Sequence, residues 1–377
     1  MKYSALGLGV LALLHSANGH LHRTFHRQAN VTRVGIDDEI DHGKQFPKRD
    51  AETRSCPEGK TTNTVVVHVD QEGNTLSMET VSATSSSLVG YSSSIPPAQN
   101  IDYQWKTGFS SPTKKNKHGI SYSPYNADST CKGQDQVNDD INSLRQFSLV
   151  RIYGVDCDQV KTVTRAARQN QMQVFAGVFN VDSLQNDLQK IIDAADGDWS
   201  TFHTVSIGNE LVNRAQNSPE QIVQLVNTAR DTLRQAGYHG PVVTVDTFNQ
   251  IIEHPELCEA SDYCAANCHA FFDSTQTADT AGPYVLEQAR LVSEAVGGSK
   301  KVIITESGWP SAGVPNGNAI PSRPNQEVAL KSLRENFPHG GLILFSAFDD
   351  KWKADNEGTF GTEKFWGIEL GEIDRSG

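Results

Sequence analysis

Between residues 119 and 346 one pattern recurs eight times: a short apolar run followed by a longer stretch with helical spacing. The apolar runs fall near 119–124, 148–153, 172–178, 203–208, 241–245, 261–268, 301–305 and 341–346. The helical stretches include Val137–Phe147, Gln159–Asn170, Leu184–Ala195, Pro219–Ala236, Gly282–Val296 and Asn325–Glu335. Ser218 ahead of Pro219 supplies a capping oxygen, then a residue lacking the N–H that a first helical turn leaves unpaired. Gly237 readily takes the left-handed conformation that ends a helix. The connection around Leu257 is the weakest. Parallel strands need crossover connections, and this number of them over about 250 residues closes into a barrel. A doubly wound open sheet is the alternative, but no Gly-rich phosphate loop follows the first strand. The expected fold class is α/β: a (β/α)8 TIM barrel over 116–377, preceded by a low-complexity N-terminal extension.

The extension divides by composition. Residues 1–19 read as a secretory signal peptide, with Lys2 before an apolar core from Ala5 to Leu14 and small residues at Ala17-Asn18-Gly19. Residues 20–49 are rich in His and Arg, hold the sequon Asn30-Val31-Thr32, and end at Lys48-Arg49; a pro-segment with a dibasic processing site is expected. Residues 50–115 read as a spacer. Ser77 to Ile95 holds ten Ser/Thr in nineteen residues, and Pro96-Pro97 follows. Such a composition cannot bury a core and suits a solvated, O-glycosylated stalk, with one short strand over Thr64–Val69. The polar residues 372–377 give no reason to expect a lipid anchor there.

Beyond the first twenty residues no apolar run is long enough to span a bilayer. The net charge of −12 argues against a nucleic-acid partner, which calls for a basic face. It leaves a neutral polymer open. Six cysteines fit an oxidising compartment. Cys131 and Cys157 follow neighbouring strands and are expected to pair. Cys258 is expected to pair with Cys264 or Cys268, which sit about 13 Å apart along an extended strand and cannot bridge each other. Cys56 lies outside the barrel, where it would clip the spacer to it. The spacing of Cys258, Cys264, Cys268 and His269 matches no compact zinc pattern, so no metal is expected.

Two of the apolar runs end in a carboxylate. Thr204-Val205-Ser206-Ile207-Gly208 leads into Asn209-Glu210, and Val302-Ile303-Ile304-Thr305 leads into Glu306-Ser307-Gly308-Trp309-Pro310. In a barrel both acids then face the mouth, where such enzymes keep their chemistry. Cleaving a glycosidic bond needs one protonated carboxyl group and one ionised. Asn209 can bond a sugar hydroxyl, and Trp309 can offer an apolar face to a pyranose ring. Tyr122, Tyr125, Tyr153, Phe271 and Phe272 follow strands at the same rim, and His269 can bond a hydroxyl. Substrate-binding roles are expected for all of these.

The two glutamate segments resemble those of glycoside hydrolase family 17, the β-1,3-glucanases, most nearly its fungal cell-wall branch. Supporting segments are Gly119-Ile120-Ser121-Tyr122-Ser123-Pro124-Tyr125, Val150-Arg151-Ile152-Tyr153-Gly154 and Phe365-Trp366-Gly367-Ile368. The resemblance covers roughly 119–370. It implies a (β/α)8 barrel and retention of configuration, with Glu210 as acid/base and Glu306 as nucleophile. It also implies that Lys353 and Glu363 lie near the site. His269-Ala270-Phe271-Phe272 departs from the Tyr-Pro-Tyr-Phe-like run of plant members. The expected function is a secreted, monomeric cell-wall hydrolase of β-1,3-glucan with no cofactor. A glucanosyltransferase, an exo-acting β-glucosidase and a non-catalytic glucan-binding wall protein are its alternatives.

Overall fold

A computed structural model describes residues 62–69, 75–83 and 116–368. The signal, the pro-segment with its sequon and dibasic pair, Cys56 and the last nine residues lie outside the described residues. The chain divides into two compact units, one containing residues 62–83 and the other residues 116–368. In the first, β1 (Thr62–Val69) pairs antiparallel with β2 (Thr75–Ala83), Val65 opposite Thr80 and Val67 opposite Met78. The second strand runs into the Ser/Thr-rich stretch, where β-branched Thr75, Thr80 and Val81 favour extended backbone.

The second unit is a closed parallel barrel. Its strands are β3 (Asn116–Ser121), β4 (Phe147–Arg151), β5 (Gln173–Val178), β6 (Phe202–Asn209), β7 (Val242–Thr247), β8 (Cys264–Asn267), β9 (Val302–Ser307) and β10 (Leu342–Leu344), with β10 closing on β3. The longer crossover helices are α1 (Gln134–Ser143), α2 (Gln159–Gln169), α3 (Leu184–Ala195), α4 (Pro219–Gln235), α7 (Ala281–Ala295) and α8 (Arg323–Asn336). Around Leu257 two short helices, α5 (Phe248–Glu253) and α6 (Glu256–Ala260), make the crossover instead. Among the described residues no helix is long and apolar enough to cross a membrane.

Alternation along the strands creates two apolar layers. Leu149, Phe175, Val243, Val245, Ala265, Ile303 and Ile343 form a small cluster of their own with Tyr263. Their neighbours Val150, Val174, Val242, Ala266, Ile304 and Leu344 belong to the larger core with the helices. Gly119 fits this narrow interior because a Cβ there would lie 2.9 Å from the Leu149 side chain and 3.0 Å from that of Ile343. The start of α4 is fixed reciprocally: Gln221 N–H donates to Ser218 Oγ at 3.3 Å, and Ser218 N–H donates to Gln221 Oε1 at 2.9 Å. Cys131 pairs with Cys157, joining the segments that follow β3 and β4, and Cys258 pairs with Cys264. Cys268 is buried and pairs with no other cysteine among the described residues.

Candidate active site

The fourth barrel strand, β6, ends in two left-handed backbone positions: Gly208 (φ 79°) and Glu210 (φ 55°). Glycine takes this region without cost, and glutamate does not. Glu210 is held there because its N–H donates to Val245 O on β7 at 2.9 Å. The bond turns the carboxyl group off the strand while extending the ladder. Glu306 lies in β9 and is 3% exposed, and Glu210 is 2% exposed.

One polar network joins the two acids. Arg151, at the end of β4, donates through Nη1 to Glu306 Oε1 at 2.8 Å, to Thr305 O at 2.7 Å and to Asn267 Oδ1 at 3.4 Å. Its Nη2 donates to Asn209 Oδ1 at 2.8 Å. Asn267, ending β8, donates from Nδ2 to Glu210 Oε1 at 2.8 Å and accepts from Thr305 Oγ1 at 2.8 Å. His269 Nε2 sits 3.2 Å from Glu306 Oε2. The guanidinium also lies over the rings of Tyr153, at 4.4 Å, and Phe175, at 5.3 Å. A buried charge with this many partners has been answered rather than merely tolerated.

The environments of the two carboxyl groups differ in sign. Burial alone would raise both. At Glu306 the Arg151 guanidinium, the His269 hydrogen bond and charge, and the Lys353 ammonium outweigh it, and hold the group below its ordinary range. At Glu210 burial dominates, and the charges of Glu306 and Asp246 add to it. The Asn267 hydrogen bond and Arg214 offset only part, so Glu210 stays protonated above its ordinary range. Two carboxyl groups driven apart in this way can serve as an acid and a base or nucleophile.

Lys353 is 3% exposed, lies 2.9 Å from Asp350 Oδ2 and sits over the Phe345 ring at 4.7 Å. Burial would lower its pKa, but Asp350, Glu363 and Glu306 together raise it. Lys353 thus lies in the fields of both Glu363 and Glu306. Glu363 is buried, and its N–H donates to Asp355 Oδ1 at 2.9 Å.

Asn209, Tyr153 and His269 are all brought to this network, Tyr153 with its hydroxyl raised well above the usual value by burial and then by the charge of Glu306. Phe272 is half-buried, with its ring 5.8 Å from that of Trp366. Tyr125 is also half-buried. Its hydroxyl donates to Asp156 at 2.9 Å and its ring packs on Trp352 at 4.8 Å. Three expected contacts face the core instead. Trp309 is fully buried, donates its N–H to Ile320 O at 3.0 Å and packs on Phe271, so it has no face to offer a sugar. Phe271 is fully buried as well. Tyr122 is 1% exposed, with its hydroxyl donated to Asp140 at 2.6 Å.

Arg151, Asn267, Asp246 and Arg214 are not among the site residues expected from the sequence. The signal was present for the first: an arginine inside the apolar run Leu149–Ile152 has to find a buried counter-charge. Asn267 closing the small run Ala265-Ala266 is a weaker signal of the same kind.

The BtgE/BtgC glycoside hydrolase domain matches residues 119–367. The cell surface mannoprotein MP65 of Candida albicans is 46% identical over 252 residues, which cover 66% of this chain and 66% of that protein. The probable family 17 glucosidase SCW10 of Saccharomyces cerevisiae is 47% identical over 252 residues, covering 66% of this chain and 64% of that protein. The chain therefore spans just under two thirds of these relatives' own length. In fold it is similar to the crystal structure of a glycoside hydrolase family 17 β-1,3-glucanosyltransferase from Rhizomucor miehei. That match has a TM-score of 0.57 at 23% identity and covers 67% of this chain and 92% of the other.

Proposed function

The chain belongs to the BtgE/BtgC glycoside hydrolase family, and on that premise we propose that it is a retaining glycosidase acting on the β-1,3-glucan of a fungal cell wall. The observation that carries this reading is the contrast between Glu210, held protonated, and Glu306, held ionised, within one hydrogen-bonded network. Glu210 donates its proton to the leaving glycosidic oxygen while Glu306 attacks the anomeric carbon and forms a glycosyl ester. Arg151 and His269 each hold one oxygen of Glu306, which orients it for attack. Esterification removes the negative charge of Glu306, one of the causes that keep Glu210 protonated. Glu210, which has already given its proton to the leaving oxygen, is thereby kept as the carboxylate and takes a proton from the incoming water, which cleaves the ester and restores the protonated Glu210. Asn209, Tyr153 and Phe272 line the substrate's path, and Lys353 and Glu363 complete the polar wall behind the nucleophile.

The names of the relatives, a cell surface mannoprotein and a family 17 glucosidase, support secretion to the wall. The same reading takes residues 1–19 as the signal, 20–49 as a pro-segment and 50–115 as a Ser/Thr-rich stalk of a monomeric wall protein. The test is a screen of purified protein against linear β-1,3-, β-1,4- and β-1,6-glucans, with the first-formed anomer read by proton NMR. The expected result is cleavage of the β-1,3 polymer with the β anomer appearing first. Glu306→Gln is expected to lower kcat by about 10³-fold or more while glucan binding persists. An α anomer first, or turnover unchanged in the variant, rejects the mechanism.

A further inference from the structure

Asp246, the last residue but one of β7, lies beside the site, is 2% exposed, and takes no direct part in the reaction as described above. Its carboxylate accepts three backbone N–H groups: Val212 at 3.0 Å on Oδ2, and Asn213 at 3.3 Å and Thr247 at 2.8 Å on Oδ1. Val212 and Asn213 belong to the turn by which the chain leaves β6 immediately after Glu210. That turn starts from a left-handed glutamate, a conformation that persists only when its surroundings hold it. β7 provides the hold at two points, Val245 O for the Glu210 N–H and the Asp246 carboxylate for the next two amides but one. Arg214 closes the other side. Its N–H donates to Glu210 O at 3.0 Å, its guanidinium donates to Asn209 O, and it lies over the Phe179 ring at 4.8 Å.

We infer that Asp246 is a positioning residue for Glu210: it fixes the turn that aims the proton-donating carboxyl group and places a second negative charge behind it. The inference rests on the assignment of Glu210 as proton donor. The charged and polar groups facing Glu210 are Glu306 from β9, Asn267 from β8, Arg214 from its own turn and Asp246 from β7. Burial, Glu306 and Asp246 favour the protonated form, whereas Asn267 and Arg214 oppose it. Asp246 itself is pushed up to about 6 by burial, against its three N–H donors and Arg214. It is therefore charged at the alkaline pH where Glu210 gives up its proton. A neutral side chain of the same shape would keep part of the amide anchoring and lose this charge.

The test compares kcat/KM against pH for wild type, Asp246→Asn and Asp246→Glu on two substrates. One is linear β-1,3-glucan, and the other is a dinitrophenyl β-glucoside of laminaribiose, whose leaving group needs no proton. For Asp246→Asn the alkaline limb is expected to move about 0.5–1 pH unit lower. Glucan turnover should fall about 10- to 100-fold, and the activated substrate less than about threefold. Asp246→Glu, with the charge kept and the anchor displaced by one methylene, should hold the alkaline limb and still lose selectively on glucan. If Asp246→Asn does not fold, the substrate ratio of Asp246→Glu decides the matter. Equal losses on both substrates with an unmoved limb would reduce Asp246 to a structural residue. If Glu210→Gln loses no more on glucan than on the activated substrate, the assignment of Glu210 fails and the role of Asp246 falls with it.

Discussion

A guanidinium enclosed by barrel strands must have its charge met, and Arg151 meets Glu306, Asn209, Asn267 and the Thr305 carbonyl at once. Its planar fork reaches partners on three other strands, which a point-like ammonium cannot do. Arg151→Met is therefore expected to lower kcat/KM by about 100-fold or more and to move the acid limb of the profile upward. The sign follows from Glu306. Arg151 is the chief group holding it below its ordinary 4.5, so removal raises the pH at which Glu306 ionises. An acid limb in its wild-type place would show that His269 and Lys353 suffice. At this scale the sequence was legible where chemistry and position coincide, as with Glu210 and Glu306 at strand ends. It was not legible for Asp246, since its role comes from amides far off in the chain. Nor could it separate rim aromatics from core ones. Trp309 and Phe272 both follow strands, yet Trp309 is fully buried against Phe271 while Phe272 stays half-buried, a difference set by packing partners and not by position in the chain.

Elements were easier to read than contacts, because strands and helices carry their own period. The expected Leu184–Ala195 and Gln159–Asn170 helices appear within a residue. α1 starts at Gln134 rather than Val137, since Gln136 Oε1 accepts the Gly133 N–H at 3.0 Å and anchors an earlier turn. Phe147, expected to end that helix, begins β4. What periodicity does not report is how closely strand ends approach. Gly308 follows Glu306 by two residues, and a Cβ there would lie 2.0 Å from Phe345 O. The same stretch carries the bond from Phe345 N–H to Ser307 O at 2.8 Å. Gly308→Ala must push the ends of β9 and β10 apart and displace Glu306 with them. A loss of about 3 kcal/mol or more in denaturant unfolding is expected. Activity should fall even where the variant remains folded. An unchanged midpoint and rate would show that the β10 loop yields easily.

For the whole barrel, carboxyl groups held on opposite sides of their ordinary values make stability depend on pH in two directions. Glu306 has a depressed folded-state pKa, so its contribution is present above its unfolded value and lost as pH falls through the folded one. Glu210 is raised, and the logic reverses: its contribution is present below the ordinary 4.5 and lost as pH rises through its folded value. Asp246 acts likewise between 3.8 and about 6. A buried acid kept protonated is thus a burden on the fold at neutral pH, because the unfolded chain would ionise it freely. Glu210→Gln places an amide where the wild type holds a protonated acid, and removes that burden with little change of shape. Near pH 4 the variant and the wild type should melt together. At pH 8 the variant should gain about 1 kcal/mol, roughly 2–4 °C for a domain of this size. A gain that does not vary with pH would mean that packing, and not the suppressed ionisation of Glu210, separates the two proteins. A loss at every pH would mean that Asn267 Nδ2, facing Glu210 Oε1 at 2.8 Å, needs an acceptor that the amide fails to present.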